Sequence, residues 1–378
     1  MVAGEASGDL HGATLARALL TLAPGLRLAG MGGARMAAAG VRLVHSAERV
    51  NVVGGTEAFA RLPALWAAFR VLRGQLRNRR PAALVLIDFP EFNLRLARAA
   101  RGLGIPVVYF VAPQVWAWRR GRLGAMARDV SRVLAIFPFE VSLYQEAGVP
   151  VEFVGHPMLD ALPVRDHDDA RSGLAAAGDT LVGLLPGSRD AEVRRHLPVL
   201  LDAAERILSR RPRTRFALPV APTIAVAGVE ALVRASRIPV QVLPGEAYRV
   251  MAAADLLLVA SGTATLEAAY YGAPMVVLYR LSSVSYAVAR LLVRGVSHIS
   301  LPNIVAGREI VPEFIQGRAT PGAVATAAFG LLEDDVARAA QRAALLEVRV
   351  RLGEPGAGLR AARAVLRERR ERDDATGR

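Results

Sequence analysis

Cysteine is absent from the chain, which removes disulfides, thiolate nucleophiles and cysteine-ligated metals. Lysine is absent as well, every one of the 48 basic residues being arginine, so Schiff-base chemistry and a Walker A lysine are excluded. No uninterrupted apolar run approaches the roughly eighteen residues of a membrane span. The first residues lack the charged-then-apolar order of a secretory signal. Neither half carries a G-x-G-x-x-G fingerprint, which counts against a dehydrogenase. What is present is 378 residues, 53% of them hydrophobic. That suffices for two domains of ordinary size, expected to work in the cytoplasm.

The formal net charge is +14. Such a balance suits nucleic acid, acidic lipid or a phosphorylated substrate, but a bias toward Arg, Ala, Gly and Pro codons accounts for it equally. No nucleic-acid recognition motif accompanies the charge, so nucleic acid is not expected as a partner.

Strand and helix signals alternate throughout, which predicts an α/β protein with parallel sheets. In the first half "LRLAGMGG", "AALVLIDF", "IPVVYFVAP" and "RVLAIFPF" read as near-continuous apolar runs, as strands covered on both faces should. Around "LPVRDHDDARSGLAAAGDT" the periodicity lapses into a hinge, whose "DHDD" reads as solvated linker and not as a metal site. A second series follows: "LVGLLPGSR", "RFALPVA", "PVQVLPG", "DLLLVASG" and "PMVVLYR". The expected domains are 1–162, joined by a C-terminal helix at 356–378, and 163–355.

The sharpest unit is "DLLLVASGTATLEAAYYGAP". A strand at 255–259 leads into Ser261, Gly262 and Thr263, then a helix stopped by Gly272 and Pro274. The acid-free turn at a helix N-terminus suits a diphosphate, and Glu267, one turn in, suits sugar hydroxyls. "LLPGSR" offers Arg189 as a bidentate phosphate clamp, whereas His196 nearby reads as structural. The first half supplies carboxylates instead: Glu5 and Asp9 in "AGEASGD", Asp88 and Glu91 in "IDFPEFN". The latter two lie at the carboxyl edge of a strand, where open α/β sheets bind ligands. Acids there repel a diphosphate, welcome hydroxyls and can act as a general base. They serve equally as helix caps. "RLPALWAAFRVLRGQLRNRR" puts Leu62, Leu65, Trp66, Phe69, Leu72 and Leu76 on one helical face amid arginines. It is either a helix on an anionic membrane surface or an ordinary core helix. Trp116 and Trp118 of "VWAWRR" suit an acyl chain beside a phosphate or simple packing.

"AGEASGD", "GMGGARM", "IDFPEFN", "VWAWR", "FPFE", "GHP", "LLPGSR", "SGTATLE", "PMVVLYR" and "LPNIVAGREIVPEFIQ" occur together and in order, up to about residue 317. In these the chain closely resembles the lipid-A-disaccharide synthase family of inverting glycosyltransferases. The resemblance implies a GT-B fold, two Rossmann-like parallel-sheet domains facing a cleft. It also implies transfer from UDP-2,3-diacylglucosamine to 2,3-diacylglucosamine 1-phosphate (lipid X), at the inner face of the cytoplasmic membrane. Neither cofactor nor catalytic metal is implied, and a dimer with exchanged C-terminal segments is. Residue by residue, it assigns the donor to Arg189, Ser261, Gly262, Thr263, Glu267 and Asn303, and the reaction centre to Ser7 and the "IDFPEFN" segment. Glu91 stands where the family has aspartate, and is expected as the base with Asp88 orienting it. The chain opens almost on its first motif, so the first strand is expected to be short. The rival readings are another UDP-sugar enzyme of the same fold, including an epimerase, and an inactive nucleotide-sugar or membrane-binding homologue.

Overall fold

A computed structural model describes residues 1–47, 62–113, 115, 121–282, 286 and 298–376, with side chains as far as 369. The chain divides into two compact units, Met1–Ala161 with Leu352–Arg378, and Leu162–Arg351.

The first unit is a seven-stranded parallel sheet in the order β3-β2-β1-β4-β5-β6-β7. The strands are β1 (Val2–Ala3), β2 (Ala29–Gly32), β3 (Arg42–Ser46), β4 (Leu84–Ile87), β5 (Val107–Phe110), β6 (Arg132–Ala135) and β7 (Val151–Phe153). The central strands β4 and β5 are buried along their whole length, because helices cover both faces of a parallel sheet. Four of these strands were legible as apolar runs. The edge strands β3 and β7 are half-buried and polar enough to escape that signal.

Helix α1 (Ala6–Leu22) follows β1, and α2 (Ala34–Ala38) follows β2. Two longer connections are α3 (Leu62–Arg79) before β4 and α4 (Pro90–Arg101) after it, while α5 (Arg122–Asp129) precedes β6 and α6 (Phe139–Glu146) precedes β7. The C-terminal helix (Ala357–Thr376) packs on α1. Its first N–H groups are capped by Asp160, which accepts from Gly356, Ala357 and Gly358, and Arg132 pairs with Glu368 on its flank.

The second unit repeats the plan with six parallel strands, β10-β9-β8-β11-β12-β13. Here β8 is Thr180–Leu185, β9 Thr214–Val220, β10 Val240–Pro244, β11 Leu256–Ala260, β12 Met275–Tyr279 and β13 Glu313–Ile315. Helix α7 (His167–Arg171) precedes β8, α8 (Asp190–Arg210) runs between β8 and β9, α9 (Val226–Ala235) and α10 (Ala247–Ala253) flank β10, and α11 (Thr263–Tyr270) follows β11. Gly272, at φ +63°, supplies the left-handed residue that ends α11. The "DHDD" stretch is a short helix, His167–Arg171, capped by Asp166. Among the described residues no group of three or more His, Asp or Glu could hold a metal ion, and no helix is long and apolar enough to cross a membrane.

In each sheet the strand order reverses between two adjacent central strands, β1 and β4 in the first, β8 and β11 in the second. Chain leaving such a pair splits to opposite sides and opens a crevice at the carboxyl edge, where ligands of this architecture bind. "AGEASGD" and "IDFPEFN" leave the first pair; "LLPGSR" and "SGTATLE" leave the second.

Candidate functional site

In the first sheet Glu5 precedes α1 and Ser7 lies in its first turn, both exposed. The backbone of β1 runs close to the turn after β4. A Cβ on Gly4 would come within 2.3 Å of the Phe89 ring, so only glycine admits that ring. Asp88 and Phe89 both take left-handed backbone angles, φ +48° and +52°, which costs about 1–3 kcal/mol per non-glycine residue.

A buried side chain holds that strained turn. Asn93 Nδ2 donates to the Asp88 carbonyl at 2.7 Å, with longer contacts to Ile87 O (3.3 Å) and Val2 O (3.4 Å). The Tyr109 hydroxyl donates to the same Asp88 carbonyl at 2.7 Å. With the backbone fixed, the Asp88 carboxyl is aimed by the turn. Burial, then repulsion from Glu5, raise it to about 6, against a smaller opposing pull from the Phe89 N–H. Among the described residues it has no ion-pair partner.

Glu91 differs. It stands in the first turn of α4 and forms an ion pair with the buried guanidinium of Arg122 at the start of α5. Asp9 differs again, being buried and fully used as the cap of α2. It accepts from Gly33 N at 2.7 Å, Met36 N at 3.0 Å and Arg35 N at 3.1 Å. Of these four acids, then, Glu5 is exposed, Asp88 is half-buried beside it, Glu91 is shared with an arginine, and Asp9 braces a neighbouring helix. Two histidines that the sequence did not flag are held neutral in this unit. Burial lowers His11 to about 4, and burial with repulsion from His11 lowers His156 to about 3. Trp116 and Trp118 lie outside the described residues.

In the second sheet the turn after β11 is open. Gly262 has φ +154° and ψ −164°, a region only glycine enters freely. The N–H groups of Thr263 and Ala264 begin α11 without intrahelical partners. Ser261 is less available than expected. Its N–H donates to Leu278 O at 2.9 Å and its hydroxyl to Ile299 O at 3.0 Å. Glu267 accepts from the Tyr248 hydroxyl at 3.3 Å, and burial raises its pKa.

Arg189 is exposed at the start of α8, paired with Glu192 at 2.9 Å. Glu192 also accepts from Ser188 N (3.0 Å) and Arg189 N (3.2 Å), so the cap of α8 is its own carboxylate, while the Arg189 side chain stays 78% exposed. The R-x-x-E spacing is the signal that could have revealed this.

Asn303 is buried with both ends of its amide engaged. It donates to Val311 O (2.8 Å) and Glu313 (2.7 Å), and accepts from Ile310 N (2.7 Å) and Val311 N (2.9 Å). Glu313 in turn holds Ser300 N and Ile299 N, and Ile299 O receives the Ser261 hydroxyl. The "LPN" and "VPEF" motifs thus form a hydrogen-bonded knot that links Asn303, through Glu313 and Ile299, to Ser261 of the open turn.

A family model described as lipid-A-disaccharide synthetase matches residues 1–364. The chain belongs to the lipid-A-disaccharide synthase family. Synthases of this name from Anaeromyxobacter sp. (strain K), Nitrosococcus oceani and Myxococcus xanthus are 47%, 44% and 43% identical to it. The matches cover 97%, 93% and 97% of this chain and 96%, 92% and 96% of theirs. Solved structures agree on the fold. The glycosyltransferase of kitacinnamycin superposes with a TM-score of 0.62 at 16% identity, over 96% of each chain. A putative UDP-N-acetylglucosamine 2-epimerase from Listeria monocytogenes gives 0.60 at 11%, over 96% of this chain and 93% of its own. The two parallel sheets are therefore those of a GT-B protein, and the synthase family makes it a glycosyltransferase.

Proposed function

We propose that the chain condenses UDP-2,3-diacylglucosamine with 2,3-diacylglucosamine 1-phosphate to the β-1,6-linked disaccharide 1-phosphate, releasing UDP. Family membership supports the reaction, and the observation that carries the assignment of roles is the Asp88 carboxyl, raised to about 6 on a strained, braced turn. A base near neutrality is charged enough to accept a proton and basic enough to hold it. Asp88 takes the proton of the acceptor 6-hydroxyl as that oxygen attacks the anomeric carbon. The bond from that carbon to the diphosphate breaks on the opposite face, inverting the centre, and UDP leaves with the electron pair. Arg189 and the N–H groups opening α11 meet the charge growing on UDP, while Glu267 accepts from donor hydroxyls. Glu5 and Ser7 line the acceptor side. Glu91, neutralised by Arg122, fixes α4 against α5 and is the second candidate for the base.

The helix α3 supports a peripheral place on the inner face of the cytoplasmic membrane. Ala68, Leu72 and Leu76 form its buried face, whereas Leu62 and Trp66 are 55% and 62% exposed. The expected single apolar face is therefore divided. Helical spacing sets the exposed pair on one stripe with Arg70, Arg73 and Arg77, and Arg70 lies 4.6 Å from the Trp66 ring centre. Apolar wedges amid arginines suit an anionic lipid surface. A dimer exchanging C-terminal segments would make the Asp160 cap and the Arg132–Glu368 pair across two chains.

The test is a mass-spectrometric product assay with both substrates in detergent and EDTA. A tetra-acyl disaccharide 1-phosphate is expected. Intact donor, from protein that binds UDP, would favour a binding homologue.

A further inference from the structure

The second unit carries a basic depression that the donor assignment does not use. Arg194 and Arg195 on α8 face Arg280 and Leu281, which leave β12, and Gln316 beyond β13. The space is open, about 580 Å³, in the range of small-molecule sites. Among the described residues three arginines line it and no carboxylate does. Among the described residues none of the three has an ion-pair partner, and residues 283–297 contain no acid. Glu192, close by on α8, is already held by Arg189 and the Ser188 N–H.

Its floor is held from two directions. His196 is fully buried. One ring nitrogen, Nδ1, lies 2.9 Å from Pro186 O and so carries the proton, while Nε2 accepts from Arg280 N at 2.9 Å. The neutral ring thereby ties the "PGSR" loop to the end of β12. Gln316 stands at φ +52°, accepts from Leu281 N at 2.9 Å and donates to Leu281 O at 3.4 Å. A strained non-glycine residue clamping the segment that presents an arginine is a constraint of the kind found at binding sites. Three guanidinium-bearing side chains on the lining of one depression repel one another until an anion joins them.

We propose that this depression is a phosphate subsite, taking a phosphate monoester carried on a lipid. Guanidinium forks match phosphate oxygens two at a time, and the flanking Pro198 and Leu281 accept the apolar neighbourhood of such a group. Two sources share this chemistry, the 1-phosphate of the acceptor and the phosphate of a bilayer lipid. The first rests on the proposed reaction and the second does not.

The test uses the full chain with Arg194→Gln, Arg195→Gln and Arg280→Gln combined. Its control carries Arg206→Gln, Arg234→Gln and Arg237→Gln, which make the same charge change on other exposed arginines. UDP binding serves as the check of folding, and Arg194→Gln with Arg195→Gln on the exposed helix face is the fallback pair. KM is measured for lipid X and for its 1-dephosphorylated form, and flotation is measured on phosphatidylcholine vesicles with and without phosphatidate. A rise of about tenfold in KM for lipid X alone assigns the subsite to the acceptor. A similar loss of flotation on phosphatidate vesicles, with KM unchanged, assigns it to a bilayer lipid; this arm needs no turnover and stands even where the reaction is refuted. Equal effects on both acceptors, equal effects in the control, or no effect in either arm overturn the proposal.

Discussion

The turns after β4 and β11 occupy equivalent places in their sheets, beside the reversal of strand order, yet they are built in opposite ways. After β11 the unusual backbone angle falls on Gly262, where it costs little, and the N–H groups beyond it stay open. After β4 the unusual angles fall on Asp88 and Phe89, where they are costly, and Asn93 and Tyr109 are committed to holding them. The turn after β11 leaves backbone donors open, as an anion cradle requires. The turn after β4 fixes one carboxyl where burial raises its proton affinity, as a base requires. An anion site needs donors and room, whereas a base needs one side chain in one place.

The largest effect expected on this contrast comes from Asp88→Asn. Removal of a general base lowers kcat by about 10²–10⁴, with the KM for the donor unchanged. An equal loss in Glu91→Gln, with Asp88→Asn active, would transfer the role to Glu91. In the wild type kcat/KM should rise with pH and level off above about 6, and this limb should vanish in the Asn variant. The same carboxyl weighs against the fold. Its pKa is higher folded (about 6) than unfolded (3.8), so the native state binds more protons in that window and stability falls as pH rises through it. Asp88→Asn should therefore unfold at higher denaturant than wild type at pH 7, by about 3 kcal/mol, and lose that advantage below about pH 4.

Next in size is Arg189→Ala, which removes a charge-assisted contact and should raise the KM for the donor about 10- to 100-fold. An unchanged KM would leave the cradle to the α11 N–H groups alone. The two buried asparagines then separate the half-sites. Asn93→Ala and Asn303→Ala should each lose about 1–3 kcal/mol on unfolding. In steady-state kinetics the first should lower kcat and the second raise the KM for the donor. Identical kinetic signatures would break the contrast between the two turns. The smallest effect belongs to Trp66→Ala, which should reduce flotation on anionic vesicles several-fold and leave detergent-based activity intact.

Much of this was legible in the chain itself. The apolar runs that became β4, β5, β8, β9, β11 and β12 announce themselves because strands buried on both faces must be continuously apolar. Helix punctuation works equally close to home, as with Gly272 and Pro274 after α11. Edge strands such as β3 and β13 escaped, since one exposed side removes the pattern. At the site, sequence found the right turns but could not rank their acids. Asp9, Asp88 and Glu91 are alike as residue types and differ in what faces them: three backbone N–H groups for Asp9, an arginine 31 residues away for Glu91, and an acid and burial for Asp88.

The sequence by itself determined the alternation of strands and helices, the lack of thiol and amine chemistry, and the motifs that mark the family, because these depend on residue type and local spacing. Only the tertiary structure decided that burial and Glu5 raise the Asp88 carboxyl, that Asn303 is tied up beside the turn after β11 and not in it, and that three arginines from two separate segments line one depression. Proton affinity, hydrogen-bond satisfaction and charge clustering are set by neighbours in space, and those neighbours lie tens of residues apart along the chain.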